Sequence, residues 1–96
     1  MMPRRLSILG DAAEGVRHLP PDLKRKARSV VDAIRWAPEF GKALGGDLAG
    51  LHSARVGRFR MIYRILPSGE VEVLAIGPRE TIYQDMARIA SRRTSR

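Results

Sequence analysis

The chain reads as an α+β domain on three observations: two N-terminal segments with helical periodicity, a stretch from 51 to 76 rich in alternating residues, and a short amphipathic segment after it. The expected architecture is two N-terminal helices packed on one face of a small, mostly antiparallel twisted sheet, followed by a short C-terminal helix. The opposite sheet face is expected to stand open to water or a ligand.

Each element has a local reason. Arg5 to Leu9 is a short first strand closed by Gly10. Asp11 suits an N-cap, and Ala12, Ala13, Val16 and Leu19 follow at helical spacing, although Gly15 weakens this helix. Pro20-Pro21 ends it, and Pro21 with Asp22 starts the next. Leu23, Ala27, Val30, Val31, Ile34 and Ala37 then form one apolar stripe up to Pro38, with Lys24, Arg25, Lys26 and Arg28 in the early turns. Gly41, Gly45, Gly46 and Gly50 punctuate a connection in which no helix persists.

Two strands are expected next, Leu51–Arg55 and Arg58–Leu66, bent at Val56-Gly57. Pro67-Ser68-Gly69 is a tight turn. From Glu70 to Ile76 the chain alternates Val71, Val73 and Ala75 against Glu70, Glu72 and Leu74, until Gly77-Pro78 breaks the strand. A last helix from about Glu80 puts Ile82, Met86, Ile89 and Ala90 on one side. Residues 91–96 are a polar, basic tail expected to be flexible. No repeat or linker appears, so 1–96 reads as a single domain.

Composition narrows the partners. Eighteen Lys and Arg against ten Asp and Glu give a net charge of +8 on 96 residues. A field of that sign attracts polyanions. The absence of cysteine excludes disulfides and thiolate chemistry, and two histidines are too few for an all-histidine zinc site. No metal and no cofactor is expected. No apolar run approaches the ~18 residues of a spanning helix, so no membrane role is expected and a soluble cytoplasmic protein is the default.

The charge is concentrated where it is least expected. A strand alternates its faces, so Arg58, Arg60 and Arg64 share one side with Ile62, while Phe59, Met61, Tyr63 and Ile65 share the other. Such a rib suits a surface that meets phosphates, because a guanidinium pairs two phosphate oxygens at once.

The wording around this rib resembles the RelE/ParE superfamily of type II toxin–antitoxin toxins. The resemblance covers nearly the whole chain. It is carried by Lys42-Ala43-Leu44 through Leu51, by Ser53-Ala54-Arg55-Val56-Gly57-Arg58-Phe59-Arg60-Met61-Ile62-Tyr63, and by Val73-Leu74-Ala75-Ile76-Gly77-Pro78-Arg79 followed by Tyr83. It implies a RelE-like fold and neutralisation by a cognate antitoxin, which would also be the only link to operator DNA. The Gly-Leu-His-Ser-Ala-Arg-Val-Gly segment is closer to the RelE-type branch. That branch implies a toxin that binds ribosome and mRNA and cleaves the message without a metal, inhibiting translation. The alternatives are a ParE-like gyrase inhibitor without nuclease activity, or an inactive member that only binds antitoxin.

The resemblance also assigns roles. Arg60 matches the arginine set against the scissile phosphate; as an ordinary strand residue it would pair with Glu70 or Glu72. Arg79 matches a second arginine implied in phosphate stabilisation or leaving-group protonation. Tyr83 matches a tyrosine that stacks on or orients a base, or else is core. Arg55 and Arg58 read equally as RNA-backbone contacts or as a solvated basic face. Lys24, Arg25, Lys26 and Arg28 read as RNA contacts, a solvated face or a docking surface for an acidic antitoxin.

Two departures bear on proton transfer. RelE-type nucleases carry lysines just before the Arg-x-x-Gly segment, whereas this chain has Leu51-His52-Ser53-Ala54, which leaves His52 as the candidate base. Pro78 stands where relatives often have His or Lys. Because the last helix is short, an antitoxin helix or strand is expected to displace or cover it, hiding Tyr83 and repositioning Arg79.

Overall fold

A computed structural model describes residues 2–94, with side chains as far as Arg88. In chain order the elements are β1 (Leu6–Ile8), α1 (Gly10–Arg17), α2 (Pro21–Trp36), β2 (Lys42–Ala43), β3 (Leu51–Val56), β4 (Phe59–Ile65), β5 (Val71–Pro78) and α3 (Ile82–Thr94). The strands form one sheet in the order β1-β5-β4-β3-β2, parallel only between β1 and β5. The α+β expectation holds.

Alternation along β4 organises both faces. Phe59, Met61, Tyr63 and Ile65 point toward α1 and α2, where they pack with Ala12, Leu19, Leu23, Ala27 and Ile34. Met61 and Tyr63 are fully buried. Full burial of side chains as large as Leu23 and Ile34 contributes about 1.5–3 kcal/mol each. Pro21 starts α2 with Asp22 in its first turn, and Pro38 stops it by keeping Ala37 out of the helical region. Gly15, a helix-weakening residue by propensity, lets α1 lie against β5: a Cβ there would stand 2.6 Å from Ile76 Cγ2.

Asp11 stands in the first turn of α1, whose N-cap is Leu9, and Arg58 falls in the β3–β4 turn and not in β4. Three larger expectations also change. First, the second sheet face is not left open. Ile62, Leu74 and Ala75 are covered there by Ile82 and Met86 of α3, with Leu44, Leu48 and Leu51 around them. Second, Ala75 does not share a face with Val71 and Val73. Tyr63 pairs with Val73 and Ile62 with Ala75, so Leu74 is the extra residue of a bulge and the alternation reverses beyond it. Third, the glycine-rich connection contributes a strand, β2, whose pairing with β3 covers only His52 and Ser53. Helix α3 takes in the first residues of the expected tail. The side chains of Ile89 and Ala90 and those of the tail lie outside the described residues.

Tyr63 ties the sheet to the end of α2. Its hydroxyl donates to the Pro38 carbonyl at 2.7 Å and accepts the Gly41 N–H at 2.8 Å. Burial pushes its pKa above the ordinary 10.0, helped by the nearby Glu39 charge and opposed by the Gly41 hydrogen bond. As pH rises, the unfolded chain therefore loses this proton before the folded one does. The associated stability is intact below about pH 10 and is lost as pH climbs through the unfolded and then the folded value. Tyr63→Phe strands the Gly41 N–H and the Pro38 carbonyl, and is expected to cost about 1–3 kcal/mol in urea denaturation at pH 8. The same titration repeated above pH 10 should show a steeper loss for the wild type than for the variant; parallel losses would exclude Tyr63 as the alkaline-sensitive group.

Candidate functional site

The β3–β4 register sets Arg55 directly opposite Arg60, and the β4–β5 register sets Arg60 opposite Gly77. Arg60 thus stands on the Ile62 side of the sheet, facing away from the main core. The connection after β5 is fastened to the same corner, because the Arg79 N–H donates to the Arg58 carbonyl at 3.1 Å. Pro78 has no N–H to continue the ladder and marks where the strand gives way to that connection. Arg55, Arg58, Arg60 and Arg79 therefore gather at one end of the sheet. Arg58 lies over the Phe59 ring at 5.7 Å, and Arg55 Nε donates to the Gly57 carbonyl at 3.3 Å.

Carboxylates are distributed so that this corner keeps its charge. Glu72 binds Arg64, with Nη2 and Oε1 2.6 Å apart and a second contact from Nε at 2.8 Å. Glu70 pairs with Arg5 at 3.4 Å. The two acids expected as partners for Arg60 are engaged elsewhere, and Arg64 is removed from the rib as an available cation. Among the described residues, none of Arg55, Arg58, Arg60 and Arg79 forms an ion pair with a carboxylate.

His52 is not part of this corner. It pairs with Tyr63 in the ladder, and its ring stacks on Tyr63 with centroids 5.2 Å apart on the face opposite Arg60. Its Nδ1 is buried without a hydrogen-bond partner. The strand period separates it from Arg60, so the sequence expectation of a base beside the arginines is corrected.

Tyr83 does lie on the arginine side of the sheet. It is half-buried against the second core, and its hydroxyl meets Ser53 Oγ at 3.1 Å. Ser53 is itself buried and pairs with Ile62. This latch was not foreseen; the signal was available in the strand parity that puts Ser53 and Ile62 on one face. The basic run of α2 is split by the helix. Arg25 and Lys26 turn toward Arg55 and the β3–β4 turn, while Lys24 and Arg28 border a separate cleft with Ile8 and Val16.

Comparison with known proteins places this geometry. Toxin RelE of Mycobacterium tuberculosis (strain H37Rv) is 32% identical over 85 residues, covering 85% of this chain and 88% of that protein. The chain belongs to the RelE family of toxin–antitoxin toxins. Among solved structures, the RelBE2 toxin–antitoxin complex from Mycobacterium tuberculosis matches with a TM-score of 0.73 at 29% identity, covering 82% of this chain and 94% of that one. The archaeal RelE–RelB complex from Pyrococcus horikoshii matches with a TM-score of 0.68 at 25% identity, covering 81% and 97%. No family model matches the chain.

The Ser53–Tyr83 contact makes α3 separable from the sheet at a defined cost. Ser53→Ala and Tyr83→Phe are each expected to lose about 1 kcal/mol in denaturation, and the double variant less than their sum. Hydrogen exchange at the Asp85 amide, bonded to the Thr81 carbonyl at 3.0 Å, should accelerate in both single variants. Full additivity with unchanged exchange would show that the hydroxyl pair does not hold the helix.

Proposed function

We propose that this protein is a RelE-type toxin that binds the ribosome and cleaves mRNA without a metal. The observation that carries this reading is the corner of Arg55, Arg58, Arg60 and Arg79, none of which forms an ion pair with a carboxylate among the described residues, while Glu72 is held by Arg64 further along the strand. Cleavage by the RNA's own 2′-hydroxyl passes through a pentacovalent phosphate carrying extra negative charge. On this reading Arg60, on the regular part of β4, meets that charge, and Arg79, from the connection after β5, stabilises the phosphate or the leaving oxygen. Preorganised donors of this kind are worth about 3–4 kcal/mol each. Tyr83 stacks on a base once α3 releases it from Ser53, and stacking contributes about 1–3 kcal/mol.

The partner on this reading is a cognate antitoxin, as in the RelE–RelB complexes that the fold resembles. It acts by covering or displacing α3, which carries Tyr83 and adjoins Arg79. Operator DNA is reached only through that partner. Among the described residues no helix is long and apolar enough to cross a membrane.

Two observations favour a second reading. His52, the candidate base, faces the other side of the sheet, and Pro78 offers no proton. A ParE-like gyrase inhibitor, or a member that only binds antitoxin, needs neither. Primer extension on translating ribosomes separates the readings. Cuts within A-site codons are expected, reduced at least 100-fold by Arg60→Ala, which corresponds to the loss of one such donor. Arg64→Gln is expected to lower stability and leave the cuts in place. Intact message together with blocked gyrase supercoiling would replace the nuclease reading with the second one.

A further inference from the structure

One carboxylate stands in the connection that carries Arg79. Glu80 is exposed between β5 and α3. The Thr81 N–H donates to the Pro78 carbonyl at 3.1 Å, which closes a four-residue turn with Arg79 and Glu80 at its two corner positions. The Arg79 N–H donates to the Arg58 carbonyl at 3.1 Å, so the turn is fastened to the residue before β4. Beyond the turn the chain is held on the Arg60 face. Gly77 lies opposite Arg60 in the ladder, and a Cβ at Gly77 would stand 2.9 Å from Ile82 Cδ1. The Tyr83 hydroxyl then reaches Ser53 on β3. The backbone around Glu80 is thus fixed at both ends beside the arginine corner. Among the described residues Glu80 forms no ion pair, whereas Glu70, Glu72 and Asp85 are taken up by Arg5, Arg64 and Arg88.

We propose that Glu80 is the proton acceptor of the cleavage, taking the proton of the attacking 2′-hydroxyl; the proposal rests on the nuclease reading above. That reaction needs a base within reach of the 2′-oxygen, and strand parity turns His52 to the other sheet face. An acid at this place repels phosphate, so a surface that only binds RNA has no use for it. Arg60 and Arg79 offset the repulsion by holding the phosphate, and the carboxylate meets the hydroxyl. One turn presents both Arg79 and Glu80, so the two groups are positioned together. In the step, a Glu80 carboxylate oxygen takes the 2′ proton as the 2′-oxygen bonds to the adjacent phosphorus. The bond from phosphorus to the 5′-oxygen breaks, and its electron pair leaves on that oxygen. Water protonates the leaving oxygen, and the carboxylic acid returns its proton to the hydroxide left behind. The products are a 2′,3′-cyclic phosphate and a 5′-hydroxyl.

The test measures single-turnover cleavage of an A-site codon on programmed ribosomes, with the whole protein in excess. Glu80→Gln is expected to slow the cleavage step about 100-fold or more, while half-saturation by the protein stays within about two-fold or tightens. Glu80→Ala is expected to be slowed as much and to recover about 10-fold in added formate, which supplies a carboxylate to the vacated space. A message with sulfur in place of the 5′-oxygen has a leaving group that needs no proton. On it Glu80→Gln is expected to keep its deficit. Glu14→Gln removes the same charge from an exposed ion pair on α1 and is expected to cleave at the wild-type rate. Circular dichroism reports the fold of each variant, and exchange of the Asp85 amide reports the seating of α3.

A wild-type rate for Glu80→Gln overturns the proposal. So does a deficit that formate leaves unchanged, since Glu80 would then act by supporting the turn or the dipole of α3. A deficit that the sulfur substitution removes also overturns it, because the carboxyl group would then serve the leaving oxygen. Each of these outcomes leaves the nuclease reading standing. Absence of cleavage by the wild-type protein removes that reading, and the proposal with it.

Discussion

Burial of Met61 and Tyr63 against α1 and α2 is the constraint on which the rest depends. Both side chains are sequestered from water, and together with Leu23 and Ile34 they pin the inward face of β4. A strand pinned on one face has no freedom on the other. A one-residue slip would drive Arg60 into the core and Met61 into solvent, at a cost far beyond any local gain. The position of the arginine corner is therefore a consequence of hydrophobic packing on the far side of the sheet. Tyr63 adds to this by joining Pro38 and Gly41 through one hydroxyl, which holds the end of α2 over the strands.

Charge is arranged by the same geometry. The central strands bring Arg64 against Glu72, and the sheet edge brings Arg5 against Glu70. Those pairs neutralise the end of the sheet remote from the β3–β4 turn. At the turn, among the described residues, no guanidinium is taken up in such an ion pair. The second core, built from Ile62, Leu74, Ala75, Ile82 and Met86, sets α3 beside this corner. The Ser53–Tyr83 hydroxyl contact then decides how firmly that helix sits. Covering the corner and loosening α3 are thus related events, which suits regulation by a protein partner.

Most of the fold was legible residue by residue. The stripe from Leu23 to Ile34, the prolines at both ends of α2, and the turn at Pro67-Ser68-Gly69 reflect local preferences that tertiary contacts reinforced. What escaped the reading shares one cause: each missed feature depends on a neighbour distant in sequence. The bulge at Leu74 leaves no mark in a Val-Glu-Val-Leu-Ala pattern, because it is defined by pairing with Tyr63 and Ile62. The cover over the second sheet face depends on where α3 docks. Strand β2 is two residues long and exists only as a partner of β3.

The same division runs through the site. The chain by itself determined which residues carry charge, that Arg60 and Arg64 share a face, and that Arg79 and Tyr83 follow the last strand at fixed spacing, since strand parity and local order are properties of covalent sequence; Arg58, expected on the same face, falls in the turn before β4 and lies over Phe59 instead. Only the tertiary structure decided which of those charges remain available. Glu72 removes Arg64 from the rib, the β3–β4 register turns His52 away from Arg60, and the twist of α2 sends Arg25 and Lys26 to one groove and Lys24 and Arg28 to another. Electrostatic and hydrogen-bonding interactions act over a few ångströms in space, so their partners are settled by cross-strand register and helix docking and not by distance along the chain.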